Sequence, residues 1–467
     1  MEKTTHIVVV PGPGFSHLVP ILEFSKRLVQ LHPLLHVTAI IPTLGSLPSV
    51  SKTFLETLPS SITLTFLPPV DPNDLPHGLE TGVQMQFVVT YSLPFLHKAI
   101  KSLTSRTPLA AIVVDNFAYE ALDFAKEFNM LSYIYFPKSA FTLSMYFHLP
   151  MLDEETSCEF RDLGKPIQMP GCVPIHGIDL HHQIQDRSSQ GYELFLQRVK
   201  RFCAVDGIFI NSFVEMEKGP MRELTEGSNH PPVYPVGPII PTSNESNGPN
   251  ELECLKWLDK QQPKSVLYVC FGSGGTLSQV QIIELALGLV LSNQKFMWVI
   301  RAPSSSASGA YLNAQNENPL EFLPYGFLDK TKEHGLVIPS WAPQTKILSH
   351  SSIGGFMSHC GWNSILESVL KGVPLIAWPL FAEQRMNAVM LCDGLKVALR
   401  PKVNGNGMVE KEEAAKVIKS LMEIEGGKMR KIMKGLKEAA IDALKEDGCS
   451  TKTMHQLIMK WILLPHP

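Results

Sequence analysis

From Trp341 to Gln384 the chain reads WAPQTKILSHSSIGGFMSHCGWNSILESVLKGVPLIAWPLFAEQ, a stretch rich in groups that can hold a nucleotide diphosphate joined to a sugar. Trp341 offers a flat ring to a base, and Glu367 offers a carboxylate that accepts from two ribose hydroxyls. His359, Asn363 and Ser364 fall where a helix should begin. Backbone N–H groups at a helix start lack partners and the macrodipole is positive there, so a diphosphate can be held without lysine or metal. Glu383 and Gln384 close the stretch with an acid and an amide suited to sugar hydroxyls. Upstream, FGSGGT sets Ser273 in a glycine-rich turn between a strand and a helix, a second anion-binding shape.

Transfer of a sugar to a hydroxyl also needs a base. Histidine suits that part because the unperturbed side chain titrates near operating pH; His17 lies in the loop after the first strand-like run, and Asp115 closes a later run. A carboxylate behind an imidazole fixes its tautomer and stabilises the imidazolium. Taken alone, a loop histidine is an ordinary surface or core residue, and Asp115 can equally cap a following helix.

The elements that must position these groups are legible as apolar runs. HIVVVPG, HVTAIIP, ITLTFLP, LAAIVVD, SYIYFP and GIFINSF read as strands, separated by helical or irregular stretches such as HLVPILEFSKRLVQ. Continuous apolar strands alternating with helices predict a parallel sheet covered on both faces, with ligands gathered at the strands' carboxyl ends. Residues 241–250, PTSNESNGPN, read as a linker. The alternation then restarts with ELECLKWLDK, SVLYVCFG, QVQIIELALGLVL and KFMWVIR. The reading is α/β, two Rossmann-like domains facing a cleft. They span residues 1–240 and 251–449, with a final helix in 450–467; residues 409–446 read as amphipathic helices. The polar segment between Arg301 and Pro324 reads as a mobile cover or a disordered surface loop. Gly12 and Gly14 begin a dinucleotide fingerprint that Ser16 and His17 leave incomplete, which argues against a dehydrogenase.

The stretch from WAPQ through HCGWNS to FAEQ resembles the plant secondary product glycosyltransferase signature, the donor box of plant UDP-sugar-dependent glycosyltransferases. The resemblance extends over nearly the whole chain, with His17 and Asp115 matching the family's catalytic histidine and aspartate and Ser16 standing where glycine is common. It implies the GT-B architecture, acceptor site mainly in the first domain, donor site mainly in the second, and a last helix crossing back onto the first domain. It also implies that Trp341 stacks on uracil, that the Ala342 backbone meets the base edge, and that Gln344 and Glu367 bind the ribose. Ser273, His359, Asn363 and Ser364 then take the diphosphate, and Trp362, Glu383 and Gln384 the sugar. A terminal Gln goes with glucose in that family and His with galactose, so UDP-glucose is the expected co-substrate, with no metal or other cofactor. The FGSGGTLS loop and the 302–324 segment look most like the subgroup that glucosylates simple phenols, monolignols and flavonoids. Phe87, Tyr91, Phe95, Phe117, Phe141, Tyr146 and Phe147 are candidate walls for a small, flat phenolic acceptor.

Composition narrows the partners. The chain has 467 residues and 44% hydrophobic content, enough for large cores. With 41 basic against 44 acidic residues it has no broad basic surface for nucleic acid or anionic lipid. Eight cysteines lie without CxxC or metal-ligand spacing, and adjacent His359 and Cys360 point apart, so zinc is not expected. Scattered thiols, the lack of an apolar leader before HIVVVP and the absence of a membrane-length apolar run suggest the cytoplasm, with the Asn244 sequon unused. A monomer is expected, although no sequence feature reports oligomeric state. Two rival readings keep the donor box. One is a nucleotide-sugar epimerase or hydrolase of the same fold, and the other a catalytically inactive UDP-sugar-binding regulatory protein.

Overall fold

Runs of Val, Ile and Leu without polar alternation can satisfy both faces of a strand only inside a covered sheet, and this chain builds two such sheets. The computed structural model describes residues 4–76, 78–241, 251–309 and 317–463. One unit comprises Met1–Ile178, Gln183–Ser243 and Asp442–Pro467, and the other Asp179–His182 and Asn244–Ile441.

The first unit holds β1 (Thr5–Val10), β2 (Leu35–Ile41), β3 (Ile62–Phe66), β4 (Leu109–Asp115), β5 (Leu131–Phe136), β6 (Gly207–Ile210) and β7 (Val233–Pro235). They form a seven-stranded sheet in the order β3-β2-β1-β4-β5-β6-β7. The strands are parallel, with Val10 opposite Val114 where β1 meets β4. The second unit holds β8 (Val266–Cys270), β9 (Lys295–Ile300), β10 (Gly335–Pro339), β11 (Ile353–Ser358), β12 (Leu375–Ala377) and β13 (Ala398–Leu399). Their order is β10-β9-β8-β11-β12-β13, again parallel, with Ser358 opposite Cys270. Both sheets wind outward from their first strand and then restart on its other side. Such a switch point leaves a crevice beyond the strand ends, where doubly wound folds bind ligands.

The helix Phe15–Leu31 buries Leu18, Leu22, Phe24 and Leu28 against the first sheet. Phe24 stacks on Tyr135 and Tyr133 on Phe209, at 5.1 and 4.7 Å between ring centres. The last helix, Cys449–Ile462, sends Met454, Leu457, Ile458 and Trp461 into that same core. Trp461 meets Tyr133 edge-on at 5.7 Å. Arg27 pins the approach to this helix, donating from Nη2 to the Leu444 carbonyl at 2.8 Å and to Thr451 Oγ1 at 2.7 Å.

The amphipathic stretch expected over 409–446 is two helices, Lys411–Lys419 and Gly426–Ala443, joined by a π-helical turn over Ser420–Glu425. The expected linker, Pro241 apart, and the Asn244 sequon lie outside the described residues, as do 310–316 of the polar segment. The described part of that segment turns back onto the glycine-rich loop. The Thr276 hydroxyl donates to the Ser306 carbonyl at 2.6 Å, and the Ser304 N–H donates to Leu277 at 3.1 Å. Among the described residues no helix is long and apolar enough to cross a membrane.

Candidate active site

In the first unit, the strand pair at the switch point brings His17 and Asp115 together from 98 positions apart. β4 ends on Asp115, whose side chain is fully buried, and His17 lies in the opening turn of the helix that follows β1. The imidazole Nδ1 lies 2.8 Å from Asp115 Oδ2. A carboxylate only accepts, so Nδ1 carries the proton and Nε2 is left with its lone pair. The other carboxylate oxygen accepts from the Phe117 N–H at 3.0 Å, which fixes the plane of the acid. Gly12 is needed for this approach, because a Cβ there would lie 2.3 Å from Asp115 Oδ1. The ring of Phe117 stands edge-on to the imidazole at 5.0 Å.

In the second unit, the switch point lies between β8 and β11. The turn after β8 carries Gly272 and Ser273, and the residue after β11 is His359. Gly272 has φ +78°, and a Cβ on it would come within 2.5 Å of His359 Cε1. Ser358 and Asn387 hold the next turn, Ser358 Oγ accepting from Cys360 N at 3.2 Å and Asn387 Nδ2 donating to Cys360 O at 3.0 Å. The helix Trp362–Lys371 then starts at Gly361, whose missing side chain makes no cap. Helix starts favour anions, and His359, Asn363 and Ser364 stand at this one. The Nδ1 of His359 is buried and meets no hydrogen-bond partner among the described residues. Burial pushes the pKa of this histidine down to about 4, so near neutral pH it offers hydrogen bonds without charge.

Beside that helix start, Gln344 Nε2 donates to Glu367 Oε2 at 2.8 Å and to Ser364 Oγ at 3.0 Å, which ties the three side chains into one frame. Trp341 is 40% exposed and Ala342 is buried beside it. Glu383 immediately precedes the helix Gln384–Val389, and Gln384 Oε1 accepts from the N–H groups of Leu380 and Phe381 at 2.8 and 3.0 Å. That leaves the Gln384 amide N–H groups as donors to a ligand. Trp362 is buried at 3% exposure, which makes it part of the floor under the helix start. Ser340, Cys360 and Ala382 adopt left-handed backbone angles directly beside Trp341, His359 and Glu383. Such residues cost about 1–3 kcal/mol each and collect at binding sites.

The candidate acceptor residues separate. Phe87 and Tyr91 pack edge-on at 5.8 Å on the helix Thr81–Thr104, with Tyr91 and Phe95 exposed. Phe147 stacks flat on His230 at 4.7 Å. Phe141 and Tyr146 are each 1% exposed, and Tyr146 packs against Phe136, Phe195 and Phe202. The helix Ala140–Glu155 that carries them is apolar nearly all round, and a sequence cannot say which side of such a helix faces a ligand. Gly12, Gly272 and Asn387 were not read from the sequence, because a close approach or a carbonyl partner leaves no periodic signal. Among the described residues no three His, Cys, Asp or Glu side chains converge on a metal position.

Residues 241–423 match the UDP-glucoronosyl and UDP-glucosyl transferase family model. A hydroquinone glucosyltransferase of Rauvolfia serpentina is 52% identical over 465 residues, covering 99% of this chain and 98% of that protein. The chain belongs to the UDP-glycosyltransferase family. UDP-glycosyltransferase 72B1 of Arabidopsis thaliana is 50% identical over 466 residues, covering 98% of this chain and 97% of that one. Among solved structures, Phytolacca americana UGT2 complexed with UDP-2fluoro-glucose and pterostilbene matches with a TM-score of 0.90 at 45% identity, over 99% of this chain and 100% of that chain. A Polygonum tinctorium UDP-glucosyltransferase capable of glucosylating indoxyl, in complex with 3,4-dichloroaniline, matches with a TM-score of 0.91 at 46% identity, over 99% of each chain. The two doubly wound sheets are those of the GT-B fold, as expected from the sequence. This member of the family is a UDP-glycosyltransferase whose donor is a UDP-sugar.

Proposed function

We propose that the enzyme is an inverting, metal-independent UDP-glucose O-glucosyltransferase that acts on small phenolic hydroxyls as a monomer in the plant cytosol. The observation that carries this reading is the 2.8 Å contact between His17 Nδ1 and a buried Asp115, which presents Nε2 as a base. The acceptor oxygen attacks the anomeric carbon as Nε2 takes its proton. The bond from that carbon to the β-phosphate oxygen breaks on the opposite face, UDP leaves, and configuration inverts. Asp115 stabilises the imidazolium that forms. Trp341 stacks on uracil with the Ala342 backbone at the base edge, and Gln344 and Glu367 take the ribose. Ser273, His359, Asn363, Ser364 and the N–H groups at the start of Trp362–Lys371 hold the diphosphate. Glu383 and the Gln384 amide read the glucose.

The acceptor class follows the relatives, which include a hydroquinone glucosyltransferase and an enzyme capable of glucosylating indoxyl. Phe117, edge-on to His17, is the wall residue best supported by its position, and Phe87, Tyr91 and Phe147 are further candidates. The deciding experiment is His17→Ala assayed with UDP-glucose and a phenol panel. UDP binding stays within about twofold while turnover falls by about 10²- to 10⁴-fold. Wild-type turnover in that variant removes His17 from the role. UDP-glucose consumed without any phenol would favour hydrolysis instead.

A further inference from the structure

Arg301 is the first residue after β9, so it stands at the carboxyl end of the second sheet, between β8 and β10. Its Nε donates to the Gly272 carbonyl at 3.2 Å. Gly272 is the residue whose backbone lies against the His359 imidazole. On the other flank, the preceding residue Ile300 accepts from Ser340 N at 2.8 Å, one position before Trp341. Arg301 also lines a recess with Gly272, Gly275 and Thr276 of the glycine-rich turn. The guanidinium is therefore built into the loops that carry Ser273, His359 and Trp341.

Burial lowers its pKa, and among the described residues the guanidinium forms no ion pair with a carboxylate. A partly buried, unbalanced arginine is unfavourable unless an anion reaches it. The family's donor carries a diphosphate, and the neutral His359 beside Gly272 supplies no charge to it. We propose that Arg301 is a charge partner of the donor's diphosphate, lying in the UDP site but outside the signature stretch. As the bond to the β-phosphate oxygen breaks, negative charge grows on UDP, and a fixed guanidinium stabilises it through charge-assisted hydrogen bonds.

This inference rests on the UDP-sugar site, and calorimetric titration of wild type, R301M and R301Q with UDP, UMP and uridine tests it. R301M loses about 10- to 100-fold in UDP affinity, loses less for UMP, and binds uridine within about twofold of wild type. R301Q keeps an N–H donor without the charge. It shows the same gradation, which separates lost charge from a disturbed Gly272 turn or a variant that fails to fold. UDP affinity unchanged in both variants overturns the proposal. So does equal weakening for uridine and UDP, which would reduce Arg301 to a support for Gly272. Wild type that fails to bind UDP would instead unseat the donor site itself.

Discussion

Burial holds His6 and His359 neutral, with consequences below neutral pH. His6 on β1 is pushed to about 4, first by burial and then by the neighbouring His36, while its Nε2 lies 2.8 Å from Thr38 Oγ1. Because its folded pKa lies below the unfolded value near 6.5, the unfolded chain binds more protons between those limits. Stability from this residue is complete above about pH 6.5 and is lost as pH falls towards 4. The full shift corresponds to about 3 kcal/mol, and partial exposure of the ring brings the expectation to about 2 kcal/mol. Urea unfolding at pH 7 and pH 4.5 should show wild type losing more stability than His6→Gln, by about 1–2 kcal/mol. An equal loss in both would mean that His6 carries its charge freely in the folded state. His359 contributes in the same direction, and in its case the neutral form also fixes what the donor cradle can offer.

The glycine-rich turn after β8 and the loop after β11 work as one unit, since Gly272 at φ +78° leaves space for the His359 ring. Gly272→Ala should therefore weaken UDP by about tenfold or more, through both the strained backbone and the displaced imidazole, with little change in secondary structure by circular dichroism. UDP affinity at the wild-type level would show that the ring moves aside without cost. At this scale much of the molecule was legible. The strand runs LAAIVVD and KFMWVIR gave β4 and β9 almost to the residue, because strands buried on both faces are written as unbroken apolar runs. The reading of His359 just before a helix start also agrees with the structure, since a helix signal follows it. Which side of the helix carrying Phe141 and Tyr146 would face a ligand is not legible, because helix periodicity gives a face only when the helix has a polar side, and theirs scarcely does. Arg301 ends an apolar strand, and nothing in the sequence says that its charge goes unanswered by a carboxylate. That is a property of neighbours distant in the chain.

At the scale of the whole chain, the last helix belongs to the first unit's core. Trp461 is fully buried there, against Tyr133 and Phe209. Trp461→Ala should destabilise that unit by about 3–5 kcal/mol, visible in chemical denaturation and as faster proteolysis. A change below about 1 kcal/mol would mean that the helix rests on the core without completing it. Ribosomes emit polypeptide from the amino end, so the first unit is completed only after the second has been made, since Tyr133 and Phe209 must wait for a tryptophan that follows Asn244–Ile441. Nonsense mutations or 3′ gene trimming that spare every signature residue would therefore strike the half of the enzyme encoded earliest.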